Sequence, residues 1–444
     1  MNIDLSKIKK VFFIGIGGIG ISAIARMMLQ EGKEVFGSDI SESDITRELQ
    51  NLGAQVTLGQ GIEFVPKDMD LVVYTIAIKK YDPEFYKKLE SLGAPTLSYP
   101  EMLGVITEGK YTIAVSGTHG KTTVTAMIAK ILIDAGRDPS VIVGSLLKDT
   151  KSNLIVGKSE FFVVEACEYE RSFLNLRPKI LIITNIEADH LDYYKDIDDI
   201  KNAFGQLVLQ TDDVVAHNGN ANISILARKY KGRVVDYGKF LEKVPKLSVP
   251  GVHNRMNAAS ALAVADILKI PEEVAKKSLS DFSGTWRRLE KRGVTGSGVI
   301  VYDDYAHHPT EIRASLQGLR ELYPKGEKKI TVLFQPHLYS RTKALFDDFA
   351  KSFKDADRVL LLPIYFAREA LDESVSSEKL ANAIYAFFLK EGEQFCVDAF
   401  PDFESAEKFV SNLNLGSSDV FVTMGAGEAY KVADKVFRLT FDSK

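Results

Sequence analysis

The chain has 444 residues, of which 45% are hydrophobic and 26% charged, the mix of ordinary globular domains large enough to bury real cores. Lys+Arg 56 against Asp+Glu 60 gives a net charge of −4, which argues against a basic nucleic-acid surface, and no long charge run suggests a tail. Two distant cysteines, Cys167 and Cys396, exclude a disulfide framework and a cysteine metal centre, and fit free thiols in a reducing cytoplasm.

At roughly 100–200 residues per domain, two to four domains are expected, with three the natural division. The first element imitates a secretory leader. A basic "KIKK" precedes the charge-free run "VFFIGIGGIGISAIA", which ends before Arg26. Four glycines at ordered positions, and a second strand-like run "EVFGSD" one helix-length later, predict a buried first strand and helix instead. No later segment reaches the roughly 18 uninterrupted apolar residues of a membrane span, so membrane insertion is not expected.

That first run carries Gly15-x-Gly17-x-x-Gly20, with Gly18 between them and Asp39 closing the next strand. This spacing lets backbone N–H groups approach a diphosphate at a helix N-terminus, with a carboxylate placed for a ribose. The motif fits NAD or FAD, a UDP-sugar, or a tight packing turn. It says diphosphate and names no compound.

Beyond it, "LVVYTIAI", "YTIAVSG", "FFVVEA", "ILIITNI", "DVVAHN", "KITVLFQP", "RVLLLPIY" and "DVFVTMGAG" read as buried strands between amphipathic stretches. The alternation predicts parallel sheets covered by helices. The pattern restarts near Gly109 and near Ser283, dividing the chain at 1–109, 110–282 and 283–444.

The second unit opens on "AVSGTHGKTT", with Gly117, Thr118, His119, Gly120, Lys121, Thr122 and Thr123. It departs from the G-x-x-x-x-G-K-[ST] phosphate loop because Val115 stands where the first glycine belongs. The lysine and threonines still point to phosphate. Backbone N–H groups from Gly117 to Lys121 can wrap an anion, Lys121 adds a point charge, and Thr122 can face Mg²⁺. Two strand ends carry Glu165 and, in the second case, Glu187, Asp189, His190 and Asp192. In an open parallel sheet they belong to the same edge as the loop. A carboxylate suits Mg²⁺ better than an imidazole does, and a buried, hydrogen-bonded histidine is the other reading of His190.

Farther on, Asn254 and Asn257 head an alanine-rich helix, where they either cap it or read a base edge. Arg287 and Arg288 follow a glycine turn, as a surface salt-bridge pair or as groups that reach a phosphate on domain closure. The third unit ends its strands with Asp304, Tyr305, His307 and His308, then His337 and Arg341, then Arg368 and Glu369, then Gly425 and Gly427. Such a set makes a cleft edge. Arg341 is suited to clamp a small carboxylate, and no Ser-His-Asp order supports covalent acyl transfer.

Taken in order, "GIGGIGISAIA", "GSD", "GTHGKTT", "TNIEADHLDYY", "PGVHNRMNAA", "FSGTWRRLE", "DDYAHHPTEI", "FQPHLYSRT" and "MGAGE" resemble the Mur ligases, the ATP-dependent amide-bond ligases of peptidoglycan synthesis, and most of all their alanine-adding branch. The resemblance covers nearly the whole chain. It implies an α/β protein of three domains: a Rossmann-like N-terminal domain for UDP-N-acetylmuramate, a central P-loop ATPase-type domain on a mixed or parallel sheet, and a C-terminal Rossmann-like α/β domain for L-alanine. ATP and Mg²⁺ are the implied cofactors. Lys121 would hold the terminal phosphates within the loop Gly117–Thr123. Thr122, Glu165 and His190 would hold metal, with His190 also toward the acceptor. Asn254, Arg288 and Asp304 would contact the nucleotide, and Tyr305, His307, His337 and Arg341 would surround the alanine. Gly15, Gly17, Gly18, Gly20, Asp39 and Thr75 would hold the sugar nucleotide. The implied location is cytoplasmic, and the sequence leaves monomer and dimer both open.

Departures from the family pattern are local. Ile76 lacks a usual hydroxyl beside Thr75. Cys167 stands where a carboxylate is expected, with Glu168 next to it as a substitute. Leu338 replaces a common arginine, the stretch from Tyr237 to Pro250 is short, and no lysine lies from Phe204 to Gln206. Three rivals remain at this point: a ligase adding a whole tripeptide, an NAD dehydrogenase built on the first loop, and a non-catalytic UDP-sugar sensor.

Overall fold

The computed structural model describes residues 3–89, 91–147, 152–367 and 369–440, so Arg368 lies outside the described residues. The first sheet contains β1 (Lys10–Ile14), β2 (Glu34–Asp39), β3 (Gln55–Leu58), β4 (Leu71–Tyr74) and β5 (Thr96–Ser98). Its order is β3-β2-β1-β4-β5 and every pair is parallel. The charge-free run is β1 and the helix Ile19–Gln30, as its glycine spacing predicts. Val11, Phe13 and Ile24 are fully buried. A strand covered on both faces needs an unbroken apolar run, which is why this segment imitates a leader. The strand order reverses at β1, so the first glycine loop leaves the sheet at its switch point.

The second sheet contains β6 (Tyr111–Ser116), β7 (Ser140–Ile142), β8 (Leu154–Ile155), β9 (Phe161–Glu165), β10 (Ile180–Ile183), β11 (Asp213–Ala216) and β12 (Arg233–Asp236). The order is β12-β11-β10-β6-β9-β7-β8. The pairs are parallel apart from the antiparallel β7–β8 edge. Since β6 lies between β10 and β9, the segments after Ser116, Glu165 and Ile183 emerge side by side. The short stretch after Tyr237 begins with a 3₁₀ helix, Tyr237–Lys243. One apolar core, running from Val11 to Ile223, serves both sheets. They form a single compact unit made of the chain up to Asp189, Tyr193–Pro245 and Asn257–Asp281.

A second compact unit comprises His190–Asp192, Lys246–Met256 and the chain from Phe282 onward. Its sheet contains β13 (Glu290–Thr295), β14 (Ile300–Asp304), β15 (Lys329–Phe334), β16 (Arg358–Leu361), β17 (Cys396–Ala399), β18 (Asp419–Met424) and β19 (Leu439–Thr440). The order is β17-β16-β15-β18-β14-β13-β19. β13 runs antiparallel to β14 and β19; the other pairs are parallel. Alternate residues feed opposite faces: Val332 and Phe334 enter one core and Leu333 the other, the period of two that a strand imposes. Both cysteines are free. Among the described residues no helix is long and apolar enough to cross a membrane.

Candidate active site

The phosphate loop follows β6 and enters the helix Lys121–Asp134. Gly117 (φ 130°) and Gly120 (φ 85°) both have left-handed backbone, and each is also sterically closed. A Cβ on Gly117 would stand 2.1 Å from Thr184 Oγ1, and one on Gly120 would stand 2.7 Å from Asn257 Oδ1. This explains why Gly117 suffices where the usual earlier glycine is missing. The loop is braced from the end of β10. Thr118 N–H donates to the Asn185 carbonyl at 3.1 Å. His119 N–H donates to Asn185 Oδ1 at 2.9 Å, and the His119 carbonyl accepts from Thr184 Oγ1 at 2.5 Å. Of the N–H groups from Gly117 to Lys121 that the sequence offers to an anion, those of Thr118 and His119 serve this brace.

Lys121 lies beneath this loop. Its ammonium donates to the carbonyls of Gly117 (2.5 Å) and Thr118 (3.2 Å) and to Glu168 Oε1 (3.0 Å). Burial opposes the charge, yet the Glu168 carboxylate, with Glu165 nearby, outweighs it and raises the lysine pKa above its ordinary value. Glu168, only 4% exposed at its side chain, is the carboxylate the sequence offers as a substitute for the missing one at Cys167. Cys167 keeps solvent contact. Crowding by protein atoms, followed by the Glu168 charge, pushes its thiol up to about 12, so it stays protonated.

Glu165, at the end of β9, accepts from Thr122 Oγ1 at 3.0 Å and from Gly144 N–H at 2.8 Å on the same oxygen. A hydroxyl and a carboxylate meeting beside a phosphate loop are the hard oxygen donors that Mg²⁺ takes. Thr123 is buried in the same turn. His119 Nε2 stands 3.5 Å from Glu187 Oε2. His190 has a left-handed backbone (φ 54°) and belongs to the second compact unit.

At the first glycine loop, Gly15 (φ 76°) faces Thr75: a Cβ there would stand 2.6 Å from Thr75 Cγ2. Asp39, expected to hold a ribose, accepts from Gly17 N–H at 2.8 Å and so closes the loop. Gly18 caps the helix. A Cβ on Gly20 would stand 2.7 Å from the Tyr99 ring, so that glycine makes room for a side chain that sequence reasoning did not single out.

In the second unit the adjacent arginines separate. Arg287, 3% exposed, donates to Asp303 (2.7 Å) and to the carbonyls of Gly427 (2.9 Å) and Gly425 (2.8 Å). It lies 4.6 Å from the Tyr430 ring centroid. Neither sequence reading of it holds: it is a buried tie across β14 and the turn after β18. Arg288 lies over Tyr305 at 5.1 Å and 3.7 Å from Glu311. Asp304, 4% exposed, accepts from Ala306 N–H at 3.1 Å and from Ser315 Oγ. Burial raises its carboxyl pKa to about 6, against the lowering effect of Ser315 and Arg288.

His307 Nδ1 lies 3.0 Å from the Tyr305 carbonyl, and its ring stands 6.0 Å from that of His337. His337 stacks on Tyr365 at 5.4 Å, and its Nδ1 lies 3.2 Å from Arg341 Nη1. Leu338 takes a left-handed φ of 70°, held where its N–H meets the Tyr365 carbonyl at 2.8 Å. His308 caps the helix Pro309–Leu322. Asn254 Nδ2 donates to the Pro250 carbonyl at 2.7 Å. The structure thus gathers Lys121, Thr122 and Glu165 in one unit, and His307, His337 and Arg341 in the other. Sequence reasoning passed over Thr184, Asn185 and Gly144. The first two stood inside a quoted motif, whereas nothing in the sequence marked Gly144.

Three family profiles match the chain: "Mur ligase family, catalytic domain" over residues 10–111, "Mur ligase middle domain" over 115–244, and "Mur ligase, glutamate ligase domain" over 287–427. Curated proteins named UDP-N-acetylmuramate–L-alanine ligase are similar over almost the full length. The one from Caldanaerobacter subterraneus is 42% identical, covering 98% of each chain. That from Clostridium kluyveri is 41% identical, covering 98% of this chain and 99% of its own. Among solved structures, the UDP-N-acetylmuramate–alanine ligase of Thermotoga maritima superposes with a TM-score of 0.78 at 28% identity, covering 96% of this chain and 98% of that one. A murein peptide ligase from Psychrobacter arcticus shares the fold, with a TM-score of 0.68 at 22% identity, covering 96% and 98%.

Proposed function

This chain belongs to the Mur ligase family, and we propose that it joins L-alanine to the lactyl carboxylate of UDP-N-acetylmuramate while ATP becomes ADP and phosphate. The observation that carries the reading is the half-buried Lys121 under a left-handed glycine loop, with Thr122 and Glu165 meeting beside it. That is apparatus for handling terminal phosphates, which an NAD dehydrogenase or a UDP-sugar sensor does not need. The full-length similarity to alanine-adding relatives supports the choice of amino acid.

A carboxylate is a poor electrophile. Transfer of the terminal phosphoryl group from ATP to the lactyl carboxylate makes an acyl phosphate with a good leaving group. The alanine amine then attacks the acyl carbon, and the tetrahedral intermediate expels phosphate. In this reading Lys121 neutralises the transferring group, and the helix turn at Gly120–Thr122 orients it. Thr122, Glu165 and His190 would hold Mg²⁺, whose chemistry is charge neutralisation between phosphates and carboxylate. Asn254, Arg288 and Asp304 would contact the nucleotide. His307, His337, Arg341 and Tyr305 would receive the alanine, Arg341 pairing its carboxylate. Gly15, Gly17, Gly18, Gly20 and Thr75 would receive the sugar nucleotide, with Asp39 holding that loop in shape. The matching domain division is 1–109, 110–282 and 283–444, and a cytoplasmic setting fits the need for ATP.

The test is phosphate release from ATP with UDP-N-acetylmuramate and, in turn, L-alanine, glycine, L-serine, D-glutamate and the tripeptide. L-Alanine should give the highest kcat/KM, with no release when the sugar nucleotide is omitted. Preference for the tripeptide would overturn the assignment.

A further inference from the structure

Arg26 and Asn153 form a buried polar centre that the proposed chemistry does not use. Asn153 is fully buried and Arg26 is 2% exposed. The Asn153 amide donates to the carbonyl of Ile19 and to Ser22 Oγ, the latter at 3.1 Å, and its oxygen accepts from Arg26 Nη1 at 2.7 Å. Arg26 completes a fork on Glu48, at 2.8 Å and 3.3 Å. Ile19, Ser22 and Arg26 all lie on the helix that begins at the first glycine loop. Asn153 therefore grips the first turn of that helix, 134 residues away in sequence.

The same strand edge reaches the other loop. The Asn153 carbonyl accepts from Val143 N–H at 3.1 Å. The next residue, Gly144, donates to the Glu165 oxygen that also holds Thr122. A Cβ on Gly144 would stand 2.9 Å from the Glu165 carboxylate, so the contact is close-packed. Whatever draws Glu165 toward a bound nucleotide pulls on Gly144, and through Val143 and Asn153 on Ile19.

We propose that Asn153 is a positioning residue that couples occupancy of the phosphate loop to occupancy of the first glycine loop. The proposal rests on the reading above, in which those loops take ATP and UDP-N-acetylmuramate. Coupling between two sites is reciprocal and has a measurable factor. Binding of UDP-N-acetylmuramate is measured by calorimetry with and without a non-hydrolysable ATP analogue and Mg²⁺. The wild-type chain should bind it at least about fivefold more tightly with the analogue present, within the usual range for coupled sites.

Asn153→Asp keeps the shape and the acceptor for Arg26 but removes both donors; Gly144→Ala disturbs the far end. Both should bring the factor close to one. A merely structural residue would lower the melting temperature and leave the factor intact, and that result overturns the proposal, as does a wild-type factor of one. Hydrogen exchange on the wild-type chain needs no variant and no sugar nucleotide. The analogue alone should slow exchange at the amides of residues 19–26, and no change there is the second overturning result. Failure of UDP-N-acetylmuramate to bind at all would instead count against the substrate assignment.

Discussion

The ammonium of Lys121 stands 3.0 Å from the carboxylate of Glu168, and both side chains are withdrawn from solvent, at 13% and 4% exposure. The loop lysine thus has a counter-charge within the chain itself, and in the proposed reaction the phosphates of ATP would compete with Glu168 for it. Removing one partner of a buried pair costs about 3–5 kcal/mol. Glu168→Gln should therefore lower unfolding stability by about 3 kcal/mol without ligand and by clearly less with saturating ATP, where phosphate replaces the lost charge. Thermal melts with and without nucleotide check this; equal losses would mean that Lys121 never exchanges partners. Lys121→Ala should abolish phosphate release while UDP-N-acetylmuramate still binds. Loss of both would contradict the division of labour between the loops.

Arg287 and Arg288 are neighbours with opposite expected phenotypes. Arg287→Met strands the buried Asp303 and two carbonyls, and should destabilise by about 3–5 kcal/mol. The Arg288–Glu311 pair is long, at 3.7 Å, and partly exposed on the arginine side, and exposed pairs contribute about 0–1 kcal/mol. Arg288→Met should melt within a degree or two of wild type yet lose most of its turnover. Denaturant titration beside steady-state kinetics separates them, and a large stability loss at Arg288 would remove it from the nucleotide-contacting set.

Asp304 and His253 pull the pH dependence of stability in opposite directions. Burial raises Asp304 from 3.8 to about 6, so the folded chain binds the extra proton between those values. Its contribution falls as pH rises from 4 to 6. Burial lowers His253 from 6.5 to about 4, against the raising effect of Glu321 and Glu311. Its contribution is complete above 6.5 and is lost as pH falls to 4. A tenfold change in proton affinity on folding corresponds to about 1.4 kcal/mol, and the two groups change by similar factors, so the two slopes nearly cancel. Asp304→Asn should be more stable than wild type at pH 7 and lose stability more steeply on acidification. His253→Gln keeps only the Asp304 contribution and should gain stability from pH 7 toward pH 4.5. Melting temperatures at pH 4.5 and pH 7 suffice, and parallel curves for both variants would refute the pairing.

Much of this was legible in the residues. β1, β9 and β10 each hold four consecutive apolar residues, and β6, β15 and β18 are mostly apolar, because both faces are covered, and such runs announce themselves. β7, β8 and β12 span only two to four residues and owe their existence to their neighbours. The phosphate loop was readable because lysine and threonine after glycine have few other uses. The pairing of Glu168 with Lys121 was harder to foresee. It depends on a turn in which Glu170 and Arg171 take φ of 49° and 55°, a backbone that non-glycine residues rarely announce. The brace by Asn185 spans 66 residues, and local pattern carries no trace of such a contact. Arg287 and Arg288 look alike in sequence, and only packing tells them apart.

The placement of β18 has a consequence for biosynthesis. Although it is nearly the last strand in the chain, it lies inside its sheet, hydrogen-bonded to β14 on one side and β15 on the other. The first sheet can close once Ser98 has been made. The third has no centre until Met424 leaves the ribosome, and until then β14 and β15 present open edges of the kind that invites wrong pairing. A chain truncated before Asp419 would lose the keystone of that sheet, not a dispensable tail.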